Sequence, residues 1–230
     1  MSCIKNNILS INAKIGEAAE RSGRSAEAVT LIGVTKTVGT EQMREMIECG
    51  VYNIGENRVQ EIVAKYPHFE DGRLRWHMIG HLQKNKVRPV VERGCLIQSV
   101  DSLSLASEIN RVSESLSKVT DILIEVNIAG EDTKYGIEPE KTLEIVKNLA
   151  QFNNIKVRGL MAMAPFIENQ KKIRYCFKKM YEIFVDIREK NVNNVFIEVL
   201  SMGMTNDYLI AVEEGSSMVR VGTGIFGERL

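Results

Sequence analysis

Residues 29–57, VTLIGVTKTVGTEQMREMIECGVYNIGEN, contain two short apolar runs separated by an amphipathic segment. The runs VTLIGVTK and VYNIGEN are rich in β-branched residues and are interrupted by glycine, as is typical of strands. In the segment TEQMREMIEC the apolar residues recur at helical spacing. A helix of this length joins parallel strands, so the stretch predicts a strand–helix–strand unit.

The same unit repeats along the chain. Six further runs have strand character: LRWHMIG, CLIQSVD, DILIEVNIAG, IKVRGLMAM, VFIEVLSMG and MVRVGTG. Regular alternation with near-continuous apolar strands predicts parallel pairing with helices outside. Eight units in 230 residues favour a closed (β/α)8 TIM barrel, and an open doubly wound sheet is the competing fold.

Domain organisation is predicted to be simple. An extra N-terminal helix is indicated by NILSINAKIGEAAERSG, with Gly23 as its stop. The chain has four prolines and no linker-like segment, so residues 1–230 are expected to form a single domain.

Composition gives no support to several classes of function, although bulk charge leaves a local basic patch open. Thirty basic residues balance thirty acidic ones, which gives no indication of a nucleic-acid partner or an anionic membrane surface. The four cysteines form no C-x-x-C pair, which favours reduced thiols over disulfides or zinc. The N-terminus lacks the apolar region of a signal peptide, and no run reaches membrane-spanning length. A soluble cytoplasmic protein is therefore expected.

The predicted strand ends carry the residues of chemical interest, because barrel enzymes place their chemistry at the C-terminal ends of strands. The segments LSMGMTND and VGTGIFG end strands seven and eight, with Thr205 as the expected N-cap of the following helix. Amide N–H groups and the hydroxyls of Ser201 and Thr223 could hold a phosphate there. The alternative is that these glycines only form tight barrel-closing turns.

Arg220 is predicted to face the barrel interior, because a period of two places Met218, Arg220 and Gly222 on one face. A buried guanidinium needs a partner. The candidates are an acidic side chain, Glu125 or Glu198, and a ligand acceptor such as a pyridine nitrogen.

Lys36 is the expected last residue of strand one. A lysine desolvated at the barrel mouth near a second cation has its ammonium form disfavoured, so its amine can form a Schiff base with an aldehyde. The alternative is a lysine that extends into water. A Schiff-base lysine, a phosphate site and an inward arginine together describe a site for pyridoxal 5′-phosphate.

Several long motifs in order resemble those of the pyridoxal phosphate homeostasis proteins, single-domain relatives of the barrel domain of bacterial alanine racemase. They are VTK, YNIGENRVQE, WHMIGHLQKNKVR, VDSLSLASEIN, VNIAGEDTKYGI, RGLMAM and LSMGMTNDYLIAVEEGSSMVRVGTGIFGER. The resemblance runs from about residue 28 to the C-terminus.

The resemblance implies a barrel of the alanine racemase N-terminal type with pyridoxal phosphate bound as an internal aldimine to Lys36. It implies that Ser201, Gly222 and Thr223 hold the phosphate and that Arg220 lies near the pyridine nitrogen. It further implies that Met163 stands beside the ring and that Asn57 lines the pocket. The family is regarded as a carrier or regulator of the cofactor without established catalysis.

A binding protein is preferred over an enzyme for two reasons. Racemisation needs an acid/base on each face of the substrate, and the racemase relatives take one from a further domain, whereas this sequence ends at Leu230. An arginine at the ring nitrogen also weakens the electron sink. The alternatives are a weakly active racemase or lyase that uses the same cofactor, and a Schiff-base aldolase acting on phosphosugars. Apo-enzymes that need the cofactor are the candidate partners, and a monomer or weak dimer is expected.

Two other segments are not assigned a functional site. His77 and His81 lie four residues apart in a segment that begins as a strand, which disfavours a zinc pair. The segment AGEDTKYGIEPE is expected to be a mobile loop near the pocket, in which Lys134 is most simply a surface lysine.

Overall fold

Eight parallel strands close into a barrel in a computed structural model that describes residues 3–130 and 135–227. Each strand pairs with its neighbours in chain order, and the eighth pairs with the first. The strands are β1 (Thr30–Val34), β2 (Asn53–Glu56), β3 (Arg75–Met78), β4 (Leu96–Val100), β5 (Thr120–Val126), β6 (Ile155–Ala162), β7 (Val195–Met204) and β8 (Met218–Val221). The predicted (β/α)8 barrel is confirmed, and the open sheet is excluded.

Helices follow every strand and cover the barrel, after one leading helix. The helices are α1 (Cys3–Arg21), α2 (Thr40–Glu48), α3 (Val59–Lys65), α4 (Val87–Glu92), α5 (Leu103–Ser115), α6 (Thr142–Leu149), α7 (Gln170–Glu189), α8 (Tyr208–Glu213) and α9 (Thr223–Phe226). Helix α1 ends just before Gly23, which has a φ of 71° and closes the helix as predicted. None of the described helices is long and apolar enough to cross a bilayer.

Several strands end earlier or later than predicted, and two of these differences affect the site. Strand β1 stops at Val34, because after Thr35 donates its N–H to the Gly55 carbonyl the chain turns at Thr37, whose φ is 60°. Lys36 therefore lies in a turn. Strand β7 continues to Met204. Its pairing with β8 shifts register between Ser201 and Met204 and does not stop at Ser201.

Two separate layers of buried side chains fill the fold. Most buried apolar residues form one cluster between the barrel and its helices. Five buried apolar residues lie outside that cluster, and strand register assigns them to the barrel lumen: Ile32, Val34, Leu123, Met161 and Met218. The lumen also holds buried polar side chains, which makes its chemistry different from that of the outer layer.

Candidate functional site

Lys36 is exposed in the turn after β1. No hydrogen bond or ion pair joins its ammonium to another group among residues 3–130 and 135–227. The expectation that the strand itself desolvates this lysine is wrong, because the strand ends two residues earlier. The preceding side chain, Thr35, donates its hydroxyl hydrogen to the Glu56 carboxylate.

A partly buried charge cluster holds the turn that carries Lys36. The Lys65 ammonium donates to the Thr35 carbonyl at 2.7 Å and pairs with Glu56 and Glu61, each at 2.8 Å. Glu61 also accepts the Thr37 N–H at 2.7 Å. These contacts fix the backbone on both sides of Lys36.

Glu56 contributes a buried carboxylate to this cluster. Burial raises its pKa, and the hydrogen bonds from Lys65 and Thr35 oppose that rise. One carboxylate oxygen, Oε2, is buried and has no hydrogen-bond partner among the residues described. The pair with Lys65 is therefore what makes a charge tolerable at this position.

Arg220 lies inside the barrel, as its strand position predicted, and is only 4% exposed. Its guanidinium donates to the Ser201 hydroxyl at 2.6 Å and to the Ala162 carbonyl at 3.0 Å. Burial lowers the pKa of Arg220 to about 10, against the opposing effect of Asp207 and Glu125, so the group stays charged at neutral pH. The direct acceptors of this cation are thus neutral oxygens.

The two acidic residues considered as partners of Arg220 lie in different places. Glu125 is buried, and its pKa is raised to about 7 by burial and by the negative charge of Asp101, with Arg220 acting in the opposite direction. Glu198 is exposed and lies 3.5 Å from Arg158. Of these two residues, Glu125 is the one that acts on the charge of Arg220.

Ser201 lies within β7, three residues before the strand ends. Its hydroxyl accepts from Arg220 and donates to Gln98 Oε1 at 2.7 Å. The side chain is fully buried. Ser201 is therefore part of the lumen, and its predicted contact with a phosphate remains a prediction.

The loops after β7 and β8 meet at Thr205. The Thr205 hydroxyl accepts the N–H groups of Gly222 and Gly224 at 3.4 Å each and lies 3.2 Å from the Thr223 hydroxyl. Thr205 does not cap the following helix, whose N-cap is Asp207. The two loops that are expected to form one site are thus joined, and Thr205 joins them instead of capping a helix.

Asn57 and Met163 follow β2 and β6 directly, and both are partly buried. The Asn57 backbone lies against Gly80, where an added Cβ would stand 2.3 Å from the Asn57 carbonyl oxygen. The topology therefore puts both residues at the end of the barrel where Lys36 and the Thr205 loop lie. Their contacts with a cofactor remain predictions.

The two histidines of the segment HMIGH lie in different surroundings. His77 is buried in the lumen, whereas His81 lies 3.2 Å from Asp101 and stacks on Tyr135 at 3.9 Å between ring centroids. No group of three or more metal-ligating side chains comes together in the described ranges. Lys134 lies outside the described residues.

Sequence reasoning missed the roles of three polar side chains that hold the site together. They are Gln98, Lys65 and Thr205, the last of which links two loops. Gln98 carried a usable signal, since it is the polar residue of CLIQSVD at an inward position. Lys65 carried a partial signal, because its i,i+4 spacing from Glu61 is visible in the sequence, whereas its contact with Glu56 depends on how α3 packs on the barrel.

Comparison with known proteins gives the family. The model of "Alanine racemase, N-terminal domain" matches residues 10–230. The chain is 43% identical over 216 residues to the pyridoxal phosphate homeostasis protein of Aquifex aeolicus, covering 94% of each chain. It is 36% identical to the protein of that name in Escherichia coli, covering all of this chain and 98% of the relative.

Solved structures agree on the architecture. PipY of Synechococcus elongatus, a structure described as having PLP bound, superposes with a TM-score of 0.85 at 30% identity and covers 97% of this chain and 100% of its own. An alanine racemase of Clostridium difficile shares the fold with a TM-score of 0.74 at 16% identity, over 87% of this chain and 52% of its own. With a closed barrel, a buried inward arginine and near-complete coverage of the two homeostasis proteins and of PipY, the chain belongs to the alanine racemase N-terminal domain family, in the group of pyridoxal phosphate homeostasis proteins.

Proposed function

We propose that this chain binds pyridoxal 5′-phosphate at the C-terminal mouth of the barrel and serves as a carrier or regulator in the homeostasis of that cofactor. Residues 1–230 act as one binding domain. The observation that carries the proposal is Arg220, a charged group buried at the mouth whose own acceptors are the neutral oxygens of Ser201 and Ala162. A cation of this kind suits a ring nitrogen or an anionic ligand.

The donor set of the last two loops fits a phosphate. The N–H groups of Gly222 and Gly224 lie 3.4 Å from the Thr205 hydroxyl, beyond the usual range of a good hydrogen bond. They can therefore donate to a stronger acceptor, and the Thr223 hydroxyl adds a further donor. We assign the phosphate to these groups, with Ser201 acting beneath them through Arg220.

Lys36 supplies the amine of the site. Its side chain is free of ion pairs among the described residues, and the Lys65 cluster holds the backbone around it. When bound, pyridoxal phosphate supplies an aldehyde that an amine can capture and a ring that withdraws electrons. Asn57 and Met163 flank the same mouth, and we assign them to the ring.

The proposal favours holding the cofactor over catalysis. A guanidinium that donates to the ring nitrogen and keeps its own charge disfavours ring protonation, which weakens electron withdrawal. The relatives from Aquifex aeolicus and Escherichia coli carry the name of homeostasis proteins. We propose apo-enzymes that use this cofactor as the recipients, and the cytoplasm, whose reducing conditions suit the cysteine pattern, as the compartment.

The decisive experiment is reduction of the loaded protein with borohydride, followed by peptide mass spectrometry. The expected result is a yellow protein in which the cofactor's mass is fixed to the peptide containing Lys36. Lys36→Ala should abolish that adduct. Lys14→Ala, at an exposed position on α1, is the matched control and should leave it unchanged.

Two further outcomes would overturn the proposal. A colourless protein that traps sugar phosphates would favour an aldolase. Racemisation or elimination of added amino acids, followed by chiral chromatography, would favour an enzyme. Recovery of activity by an apo-enzyme mixed with the loaded protein, faster than by free cofactor at the same concentration, tests the carrier role.

A further inference from the structure

A continuous chain of buried side-chain hydrogen bonds runs through the lumen from Arg220. Ser201 donates to Gln98 Oε1 at 2.7 Å, Gln98 Nε2 lies 3.1 Å from His77 Nδ1, and His77 Nε2 lies 3.0 Å from Asn53 Oδ1. Its inner members Gln98 and Ser201 are 0% exposed and His77 is 3% exposed. With Arg220, five strands thus contribute to one network behind the proposed cofactor site.

The arginine fixes the direction of the first hydrogen bond, and the orientation of the Gln98 amide fixes the direction of the others. Arginine has donors only, so the Ser201 oxygen must accept from it and its single hydrogen is left for Gln98 Oε1. The amide nitrogen of Gln98 then faces His77 and donates to Nδ1. His77 therefore carries its proton on Nε2 and donates to Asn53.

The burial of His77 and the surroundings of Asn53 support this tautomer of His77. The pKa of His77 is lowered to about 4 by burial, so a neutral ring with one donor and one acceptor is the stable form. Asn53 is half-buried and lines a cavity of about 1040 Å³ at the opposite end of the barrel, where the chain of bonds meets solvent. Among residues 3–130 and 135–227, no contact of His77 requires the reverse tautomer.

We propose that Gln98 and His77 are positioning residues that hold Ser201 as an acceptor for Arg220 and so set where the guanidinium meets the bound ring. This inference rests on the proposed function for its link to the cofactor. The direction of the hydrogen bonds does not depend on the cofactor, and it can be tested without it. The two parts can therefore fail separately.

The first test is ¹⁵N NMR of the histidine rings in the full chain without added cofactor. Wild type should show His77 protonated on Nε2 and unprotonated on Nδ1. In Gln98→Glu a carboxylate replaces the amide donor, so Nδ1 of His77 should become protonated, with a large upfield shift of its ¹⁵N signal. Gln151→Glu, an exposed matched change, should leave His77 as in wild type. An unchanged His77 in Gln98→Glu overturns the network.

The second test is the absorption spectrum of the protein loaded with pyridoxal phosphate. Gln98→Glu should shift the band maximum, whereas Gln151→Glu should match wild type. If Gln98→Glu fails to fold, Ser201→Ala removes the hydroxyl that links Arg220 to Gln98. This variant should shift the band in the same way. An unshifted band with folded, loaded protein overturns the positioning role. A wild type that takes up no cofactor refutes the proposed function instead, and the NMR result still decides the network.

Discussion

Substitution of Glu125 by glutamine should change the pH dependence of stability in a defined way. The carboxyl is 4% exposed in the barrel, and its pKa is raised to about 7 by burial and by Asp101, although Arg220 opposes the rise. The unfolded chain has an ordinary carboxyl at this position. Between the two pKa values the folded protein binds more protons than the unfolded one, so wild-type stability falls as pH rises.

The size of the effect follows from the two pKa values. Full ionisation of a carboxyl whose pKa moves from 4.5 to about 7 removes about 3 kcal/mol of folding free energy. Glutamine resembles the protonated acid and cannot ionise. Glu125→Gln should therefore stabilise the protein by about 1 kcal/mol at pH 5 and about 3 kcal/mol at pH 8.

Urea unfolding followed by circular dichroism at several pH values measures this difference. The measurement is made without cofactor, because the charges of the cofactor would also change the pH dependence of stability. Glu198→Gln is the control, since that carboxylate is 65% exposed, and it should change stability by less than about 0.5 kcal/mol throughout. A Glu125→Gln effect that stays constant between pH 5 and pH 8 would refute the reasoning, because an effect of packing alone does not titrate.

Three further substitutions test separate parts of the structure. Lys65→Met leaves the fully buried carboxylate of Glu56 without its cation and should destabilise the protein by about 3–5 kcal/mol in denaturant titrations, a loss that added Glu56→Gln should largely reverse. Thr205→Val removes the hydroxyl that joins the last two loops and should weaken binding of pyridoxal phosphate about tenfold in fluorescence titrations, with little change in Tm. Gly159→Ala puts a Cβ 1.8 Å from the Val199 carbonyl oxygen and should lower Tm markedly; an unchanged Tm would show that the two strands can separate there.

The barrel could be predicted from sequence because its two patterns are local. Each strand is a short apolar run and each crossover helix has its own apolar stripe, so eight repeats can be counted without any knowledge of contacts. Arg220 was placed inward by the same local rule, and the structure agrees. The closing of the sheet followed from the number of repeats.

The strand ends and the polar contacts could not be obtained in the same way. Whether β1 ends at Val34 or Lys36 depends on a turn held by Lys65 and Glu61, which lie on a helix that the strand sequence does not specify. The role of Thr205 depends on the approach of a loop that follows in the chain. Such contacts arise from three-dimensional packing, so a motif can nominate residues at the mouth without giving their partners.

The polar lumen is best understood as a consequence of one buried cation. Apolar packing between barrel and helices supplies the bulk of the hydrophobic stabilisation, and buried polar groups in place of apolar ones seldom add to it. Polar residues inside the strands therefore need another reason. Arg220 provides it, because a donor-only group requires an acceptor, and each acceptor in turn orients the next side chain as far as Asn53. A charge at the mouth of the barrel thus accounts for side chains that reach its other end.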